Sequence, residues 1–189
     1  MAEINNEPPP SPWVRRFAPL VGAAGEVLDV ACGRGRHARL FLDRGHPVTA
    51  LDRDLTGLGD LHAEPRLCTL EADLEDESPW PLEGKRYAGI VVTNYLHRPL
   101  FPRLVSALHP GGVLIYETFA RGNERLGRPR NPAYLLRAGE LIEQVRGALH
   151  IVAYENGEVA TPRPAVVQRL CAVNLAQGAA AEGGFRIAG

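Results

Sequence analysis

The sequence predicts an α/β protein whose core is a doubly wound, mostly parallel β-sheet. Short apolar runs alternate with segments of helical periodicity along most of the chain, which is typical of parallel strands joined by helices. The run 87–94 is almost continuously apolar, as expected for a strand that helices cover on both faces. Runs 149–157 and 165–175 leave no room for a helix between them, so we expect these last two strands to pair antiparallel.

Each element follows from its local pattern. The first helix candidate places Trp13, Phe17 and Leu20 on one face, and glycine or the turn His-Pro-Gly-Gly separates several later elements. The predicted strands are 27–31, 47–51, 67–71, 87–94, 113–119, 149–157 and 165–175. The predicted helices are 13–21, 35–43, 54–62, 99–108 and 135–146. We interpret residues 1–12 and 177–189 as flexible tails and residues 13–176 as one domain.

Composition narrows the class of protein. The net charge of −1 over 189 residues provides no general basic field for nucleic acid. Cys32, Cys68 and Cys171 are widely spaced and odd in number, which indicates reduced thiols in a cytoplasmic protein and neither a disulfide framework nor a metal site. The amino-terminal stretch is not a secretory signal, and no apolar run reaches the length of a membrane span.

Acidic residues and glycines stand where the predicted strands end. The first strand leads through Asp29 into Gly33 and Gly35, and Asp52 and Asp73 follow the second and third strands. Ligands of parallel sheets bind outside the carboxyl ends of the strands. Asp52 lies nineteen residues after Gly33, the spacing expected for an acid that accepts hydrogen bonds from a ribose.

Two cofactors compete for this loop. The pattern G-x-G-x-x-A is a weak dinucleotide signal, and it keeps an NAD-dependent oxidoreductase as one alternative. The negative charge of Asp29, however, would repel a pyrophosphate, whereas it would attract the ammonium and sulfonium groups of S-adenosylmethionine. Asp29 would then face the ammonium, Asp52 the ribose and Asp73 the adenine amino group. The alternative for Asp29 is that it only caps backbone amides of its own loop.

Four segments resemble motifs of the class I S-adenosylmethionine-dependent methyltransferases. "VLDVACGRGRHARLF" is similar to their glycine-rich motif, "TALDRD" to their ribose-binding acid, "EADLE" to their adenine-binding acid, and "LHPGGVLIYET" to their turn and fifth strand. The similarity runs from about residue 13 to residue 174, in the family's order. It implies a Rossmann-like sheet of seven strands with an antiparallel last strand. Among the members, the small bacterial enzymes similar to tellurite-resistance methyltransferases are the nearest type.

The resemblance also implies nine cofactor-binding residues: Asp29, Ala31, Gly33, Gly35, Asp52, Arg53, Asp73, Leu74 and Asn94. Asp29, Ala31, Gly33 and Gly35 match the loop at the methionine end. Asp52 matches the ribose-binding acid, and Arg53 would lie along the face of the adenine. Asp73 and Leu74 match the adenine edge, and Asn94 the position that meets the sulfonium. One departure is that Tyr-Leu-His follows Asn94, where enzymes that methylate amino groups of DNA bases have Pro-Pro and an aromatic residue. Methylation of nucleobase amino groups is therefore not expected.

Tyr95, His97 and Glu117 are the proton acceptors that stand at strand ends. We predict His97 and Tyr95 as catalytic residues, because histidine titrates in the useful range. The alternative is that methyl transfer, an in-line displacement, needs only alignment, and that His97 bonds to loop backbone.

The predicted activity is transfer of a methyl group from S-adenosylmethionine to a nucleophile on a small molecule. We expect the loop 120–134 to lie over the active site. Four of its arginines would capture an anionic group of that molecule or, alternatively, are only solvated: Arg121, Arg125, Arg128 and Arg130. A protein side chain or a structured RNA is kept as another acceptor, and the oligomeric state is left open. Besides the oxidoreductase, a non-catalytic protein that retains the cofactor fold is a second alternative.

Overall fold

A computed structural model describes residues 8–175. Its centre is a sheet of seven strands: β1 Val27–Val30, β2 Val48–Asp52, β3 Leu67–Glu71, β4 Tyr87–Thr93, β5 Leu108–Phe119, β6 His150–Val159 and β7 Ala165–Val173. The strand order is β3-β2-β1-β4-β5-β7-β6. Pairings among β1 to β5 are parallel, whereas β7 runs antiparallel to both β5 and β6. The predicted α/β class and the antiparallel last strand are confirmed.

Four α-helices and five short 3₁₀-helices connect the strands. The α-helices are α1 Pro12–Phe17, α2 Arg36–Asp43, α3 Phe101–Ser106 and α4 Glu140–Val145. The 3₁₀-helices are Ala18–Leu20, Thr56–Ala63, Arg98–Leu100, Asn123–Arg125 and Pro132–Tyr134. Within residues 8–175, no helix has both the length and the apolarity to cross a membrane.

Two predicted helices differ from the structure for local reasons. The segment predicted as a helix over 54–62 is the 3₁₀-helix Thr56–Ala63, and it is kinked because Gly59 has φ 54° and ψ −121°. The helix predicted over 135–146 begins only at Glu140, because Leu136 pairs with Ala120 as an isolated bridge and Gly139 adopts φ 77°. Both differences arise where glycine or an extra pairing interrupts an apolar helical pattern.

Two apolar layers cover the sheet. On one face, Phe17 of α1 and Phe41 of α2 pack against Val27 and Val91. On the other face, Phe101 of α3 and Leu141 of α4 belong to a second cluster that includes alternate residues of the same strands. Because side chains alternate along a strand, Asp29 and Glu117 fall on the face of α1 and α2.

The segment before α1 is attached to the sheet through one histidine. Ser11 is buried, and its Oγ accepts a hydrogen bond from the backbone N–H of Trp13, which caps α1. The backbone N–H of Ser11 donates to Nε2 of His37, whose Nδ1 lies 3.4 Å from Oγ1 of Thr93. Residues 8–12, which the sequence assigned to a tail, therefore contact α2 in the structure, and His37 connects them to β4. Residues 1–7 and 176–189 lie outside the described residues, and the domain boundaries stay a prediction.

Candidate active site

The loop between β1 and α2 reverses the chain through three residues with positive φ. These are Ala31 at 53°, Gly33 at 55° and Gly35 at 77°. A Cβ atom on Gly35 would lie 2.5 Å from Cδ1 of Leu61. Glycine is thus required at position 35 for two reasons, its left-handed backbone and the close approach of the 3₁₀-helix Thr56–Ala63.

Asp29 is buried beneath this loop. Its Oδ2 accepts a hydrogen bond of 3.0 Å from the backbone N–H of Ala38, in the first turn of α2, where Gly35 offers no side-chain cap. Burial raises the pKa of Asp29 to about 7, and the Ala38 hydrogen bond and the charge of Arg36 counteract that rise in part. The structure thus shows the capping role that was the alternative at sequence level. Contact of Asp29 with a cofactor stays a prediction.

The first cavity lies at the carboxyl ends of β1, β2 and β3 and has a volume of about 360 Å³. Its lining consists of Ala31, Leu51, Asp52, Arg53, Ala72, Asp73, Leu74, Glu75, Tyr95 and Tyr134. Five of the nine residues predicted to bind a cofactor are in this set, and Tyr95 is a sixth predicted site residue. Gly33 and Gly35 shape the adjoining loop without lining the cavity.

Carboxylates dominate the polar lining of the first cavity. Asp52 accepts hydrogen bonds from the backbone N–H groups of Gly33, at 2.8 Å, and of Asp54, at 3.2 Å. Asp73 is exposed and accepts from the backbone N–H of Glu75. With three carboxylates and the single cation of Arg53, the lining favours a ligand with hydroxyl, amino or cationic groups over a pyrophosphate.

The two predicted catalytic residues do not share a site. Tyr95 lines the first cavity, where burial and then the charge of Glu75 raise its pKa well above the ordinary tyrosine value, so its phenol stays protonated and is not available to accept a proton. His97 belongs to the turn into the 3₁₀-helix Arg98–Leu100 and lines a neighbouring groove with Trp80. His97 does not line the first cavity, although this groove shares Asp73, Leu74 and Glu75 with it.

Arg98 holds a tyrosine beside the first cavity. Its Nε donates to Glu140 Oε1 at 2.6 Å, and its Nη1 donates to the carbonyl of Ala133 at 2.6 Å. This fixes the segment that carries Tyr134, whose side chain lines the cavity while remaining 46% exposed. Sequence reasoning missed Tyr134, although it placed the end of the loop 120–134 over the site.

The second cavity, of about 340 Å³, lies at the carboxyl end of β5 on the face of α1 and α2. Residues from the amino-terminal segment and from the β6–β7 hairpin complete it. Its lining consists of Pro8, Pro9, Pro10, Ser11, Pro12, Arg15, Arg36, Asn94, Glu117, Phe119, Val159, Thr161, Pro162, Arg163, Ala165, Val167 and Arg169. Asn94, the residue predicted to meet the sulfonium, has φ 56° and lies in this cavity rather than the first.

An ion-pair chain crosses three strands at this cavity. Glu117 of β5 lies opposite Arg169 of β7, which lies opposite Glu155 of β6. Nε of Arg169 donates to Glu117 at 2.5 Å, and its Nη1 donates to Glu155 at 3.1 Å. Glu117 was noted from the sequence as a strand-end acid, but its partner depends on a strand register that the sequence does not give.

The arginines at the second cavity are not those expected from the sequence. None of the four loop residues Arg121, Arg125, Arg128 and Arg130 lines either cavity. Capture of an anionic group by these four arginines therefore has no support from either cavity, although Tyr134, at the end of the same loop, lines the first. Instead, Arg36 follows the glycine loop directly as the first residue of α2, and it was overlooked because sequence reasoning treated that position as part of a helix face.

His37 supports the site without entering it. Its Nε2 accepts from a backbone N–H, so the neutral ring carries its proton on Nδ1, toward Thr93. Burial, followed by the charge of Arg36, lowers the pKa of His37 to about 3. Across the part of the chain that the structure describes, no group of three or more His, Cys, Asp or Glu side chains is placed to hold a metal ion.

The fold is that of the class I S-adenosylmethionine-dependent methyltransferases. TehB from Haemophilus influenzae superposes with a TM-score of 0.68 at 16% identity, over 86% of this chain and 61% of that one. The 1,6-didemethyltoxoflavin-N1-methyltransferase of Burkholderia thailandensis, solved with its namesake compound and S-adenosylhomocysteine, gives 0.63 at 22% identity, over 87% of this chain and 76% of that one.

Sequence comparison leads to the same group of proteins. The chain is 37% identical over 97 residues to the trans-aconitate 2-methyltransferase of Rhizobium meliloti strain 1021, which covers 48% of this chain. The match spans 37% of the length of that relative. No protein-family model matches the chain. The resemblance stated from the four motifs is thus confirmed for the fold, and curated methyltransferases share part of the sequence.

Proposed function

We propose that the protein is an S-adenosylmethionine-dependent methyltransferase that acts on a small molecule. One observation carries the proposal: five residues selected from the sequence as cofactor ligands line a single cavity at the carboxyl ends of β1 to β3. That edge is where open α/β sheets bind their ligands. The relatives and structural neighbours support the same activity.

The residues of the first cavity suit the adenosine part of this cofactor. When bound, S-adenosylmethionine supplies an electrophilic methyl group on a sulfonium. Asp52 keeps acceptor capacity for ribose hydroxyls beyond its two backbone hydrogen bonds. Asp73 and Leu74 would contact the adenine edge, and Arg53 and Tyr134 would lie along its faces. The loop Ala31–Gly35 would carry the methionine end toward Asn94.

The chemistry requires alignment more than proton transfer. Tyr95 has a raised pKa, and His97 lines another groove, so neither is positioned as a general base. We therefore assign no general base to the predicted pair Tyr95 and His97. Instead, Tyr95 and Asn94 would position the reacting groups, because Tyr95 shapes the first cavity and Asn94 links it to the second. In-line displacement gains most from such orientation of the reacting groups.

The second cavity would hold the acceptor. Two consecutive residues relate it to the first cavity, since Asn94 lines the second and Tyr95 the first, and its arginines favour an anionic molecule. Trans-aconitate, named in one relative, is itself an anion. A cytoplasmic location is part of the proposal and rests on the sequence alone.

Isothermal titration with S-adenosylhomocysteine, and then with NAD in the same buffer, tests the cofactor. We expect binding of the first and none of the second, because an acidic cavity repels a pyrophosphate. The variant Asp52→Ala should lose affinity for S-adenosylhomocysteine by about tenfold or more, since hydrogen bonds to a charged acceptor contribute roughly 1.5–3 kcal/mol. Asp43→Ala, an exposed acid at the end of α2, is the matched control.

Two results would contradict the proposal or part of it. Binding of NAD alone would favour the oxidoreductase. Equal affinity of Asp52→Ala and wild type would remove Asp52 from the site. The non-catalytic alternative predicts binding of S-adenosylhomocysteine without methyl transfer to any compound of a cell extract.

A further inference from the structure

We propose that the methyl acceptor is a carboxylic acid with an apolar body, that Arg36 and Arg163 bind its carboxylate in the second cavity, and that a carboxylate oxygen takes the methyl group. The inference rests on the proposed function and specifies its substrate class. It draws on the charge, the apolar lining and the proton acceptors of that cavity.

The charge balance of the second cavity is strongly positive. Four arginines line it against one acid, Glu117. Arg169 is already neutralised, because it lies between Glu117 and Glu155. Among residues 8–175, no carboxylate lies within 4.0 Å of the three other arginines, which are Arg15, Arg36 and Arg163. Within that part of the chain, these three guanidinium groups have no ion-pair partner, so they can bind an anionic ligand.

Arg36 is the best placed of the three. It stands directly after the glycine loop, is half-buried, and donates from Nη1 to the carbonyl of Pro9 at 3.2 Å. Guanidinium has five N–H donors, so most of its capacity is unused by this neutral partner. Burial lowers the pKa of Arg36, and the charges of Glu117 and Asp29 offset that effect in part, so a further anionic partner would reduce the remaining desolvation cost. Asn94 lies in the same cavity, so an anion at Arg36 would be near the proposed methyl donor.

Arg163, in the turn between β6 and β7, supplies a second cation to the lining. Its guanidinium lies 5.6 Å from the ring centre of Phe119, which holds it over an apolar surface. The walls between the two arginines are mostly hydrophobic: Pro8, Pro10, Phe119, Val159, Ala165 and Val167. A small inorganic anion would leave these side chains without contacts. An organic acid with a hydrocarbon or aromatic body would bury them.

The cavity also lacks a free general base. Its one carboxylate, on Glu117, is held by Arg169. An alcohol or a protonated amine would need to lose a proton, whereas a carboxylate is already ionised at neutral pH. A lone pair of its oxygen forms the new O–CH₃ bond while the S–CH₃ bond breaks and its electron pair stays on sulfur. No proton moves, and the negative charge of the carboxylate and the positive charge of the sulfonium are both lost in the products.

A binding experiment tests the carboxylate site. With S-adenosylhomocysteine at saturation, 4-phenylbutyrate and its uncharged amide are titrated separately. We expect the acid to bind at least about tenfold more tightly than the amide, because loss of a charge-assisted hydrogen bond costs roughly 1.5–3 kcal/mol. Arg163→Met should abolish that preference without changing affinity for S-adenosylhomocysteine. Arg163 is exposed, so its loss leaves the core intact, and Arg36→Met tests the other cation.

Arg86→Met is the matched control, since this exposed arginine precedes β4 at the opposite edge of the sheet. It should keep the preference for the acid. Equal binding of acid and amide, failure of the acid to bind, or full acid preference in both Arg163→Met and Arg36→Met would overturn the proposal.

A second readout concerns the product. Label is transferred from methyl-labelled S-adenosylmethionine to the small-molecule fraction of a cell extract, and the products are treated with mild alkali. Methyl esters release volatile labelled methanol, and we expect this for most of the label. Alkali-stable products would overturn the carboxylate inference while leaving methyltransferase activity established. Absence of S-adenosylhomocysteine binding would instead refute the proposed function itself.

Discussion

At the residue scale, Asp29 is a buried carboxyl group that caps α2 beneath the glycine loop. The side chain lies on the face of α1 and α2, and its carboxyl group accepts from the N–H of Ala38. A carboxylate there costs free energy because it is removed from water, and the raised pKa of about 7 expresses that cost. The folded protein therefore retains a proton on Asp29 at a pH where the unfolded chain has lost it.

This retention predicts a pH-dependent stability. Between about pH 4 and pH 7 the folded state binds more protons at Asp29 than the unfolded state, so this group makes the free energy of unfolding fall as pH rises. Asp29→Asn keeps the acceptor oxygen and removes the titration. Relative to the variant, wild type should lose up to about 4 kcal/mol over that range, at roughly 1.4 kcal/mol per pKa unit.

Urea unfolding of both proteins at several pH values between about 4 and 8 measures this difference. Asp43→Asn, at an exposed position on α2, should remain parallel to wild type. Parallel curves for Asp29→Asn as well would mean that Asp29 is ionised in the folded protein.

Single residues were predictable where their position at a strand end determined their location. Asp52 and Asp73 line the first cavity because parallel strands end at one edge of the sheet. Arg36 and His97 were not predictable in this way. Their surroundings depend on the amino-terminal segment and on the path of the chain after β4, and neither leaves a periodic signal.

At the scale of elements, two glycines flank α2, and they differ in how much space surrounds them. Gly35 precedes the helix with φ 77°, and Gly45 follows it with φ 88°. A Cβ at Gly45 would meet nothing within 4 Å, whereas one at Gly35 would lie 2.5 Å from Leu61 and 2.8 Å from Leu58. Both leucines are buried, so they have little room to move away.

The pair predicts a graded loss of stability. Gly45→Ala should lower the free energy of unfolding by about 1–2 kcal/mol, the cost of a left-handed backbone for alanine. Gly35→Ala should lose about 1–3 kcal/mol more, because it adds overpacking against the two leucines. Urea denaturation of the two variants and wild type measures both values. Equal losses would show that the 3₁₀-helix Thr56–Ala63 yields to the added methyl group.

Most elements were predictable from hydrophobic pattern, and the exceptions have local causes. The nearly continuous apolar run of β4 and the close succession of β6 and β7 determined strand type and direction. The long pairing of β5, from Leu108, was missed because the turn His-Pro-Gly-Gly interrupts its pattern. An isolated bridge between Ala120 and Leu136, likewise, cannot be inferred from composition.

In the whole molecule, the two cavities differ in how far the sequence could predict them. The first is assembled from consecutive parallel strands, so six of its ten lining residues were predicted from the order of strand ends. The second joins β5, the antiparallel β7, the β6–β7 hairpin and residues 8–12. Its charge depends on the register that pairs Glu117 with Arg169, and a shift of one residue would place these side chains on opposite faces.

Because both apolar layers pack against the same sheet, we expect the molecule to unfold as a unit. Trp13 is buried in the layer of α1 and α2, and Trp80 packs against the layer of α3 and α4. Because they are the two tryptophans of the chain, Trp80→Phe and Trp13→Phe leave one fluorescent reporter in each layer. In each variant, urea midpoints from tryptophan fluorescence and from far-ultraviolet circular dichroism should coincide.

Cofactor binding should then stabilise both layers equally, although the first cavity lies at one edge of the sheet. S-adenosylhomocysteine at about 100 times its Kd should add roughly 2.7 kcal/mol to the free energy of unfolding reported by either tryptophan. The tryptophan substitutions themselves lower stability, so the comparison is made within each variant, with and without ligand. A shift at Trp13 without one at Trp80 would mean that the two layers unfold separately, and that the cavity is coupled to only one of them.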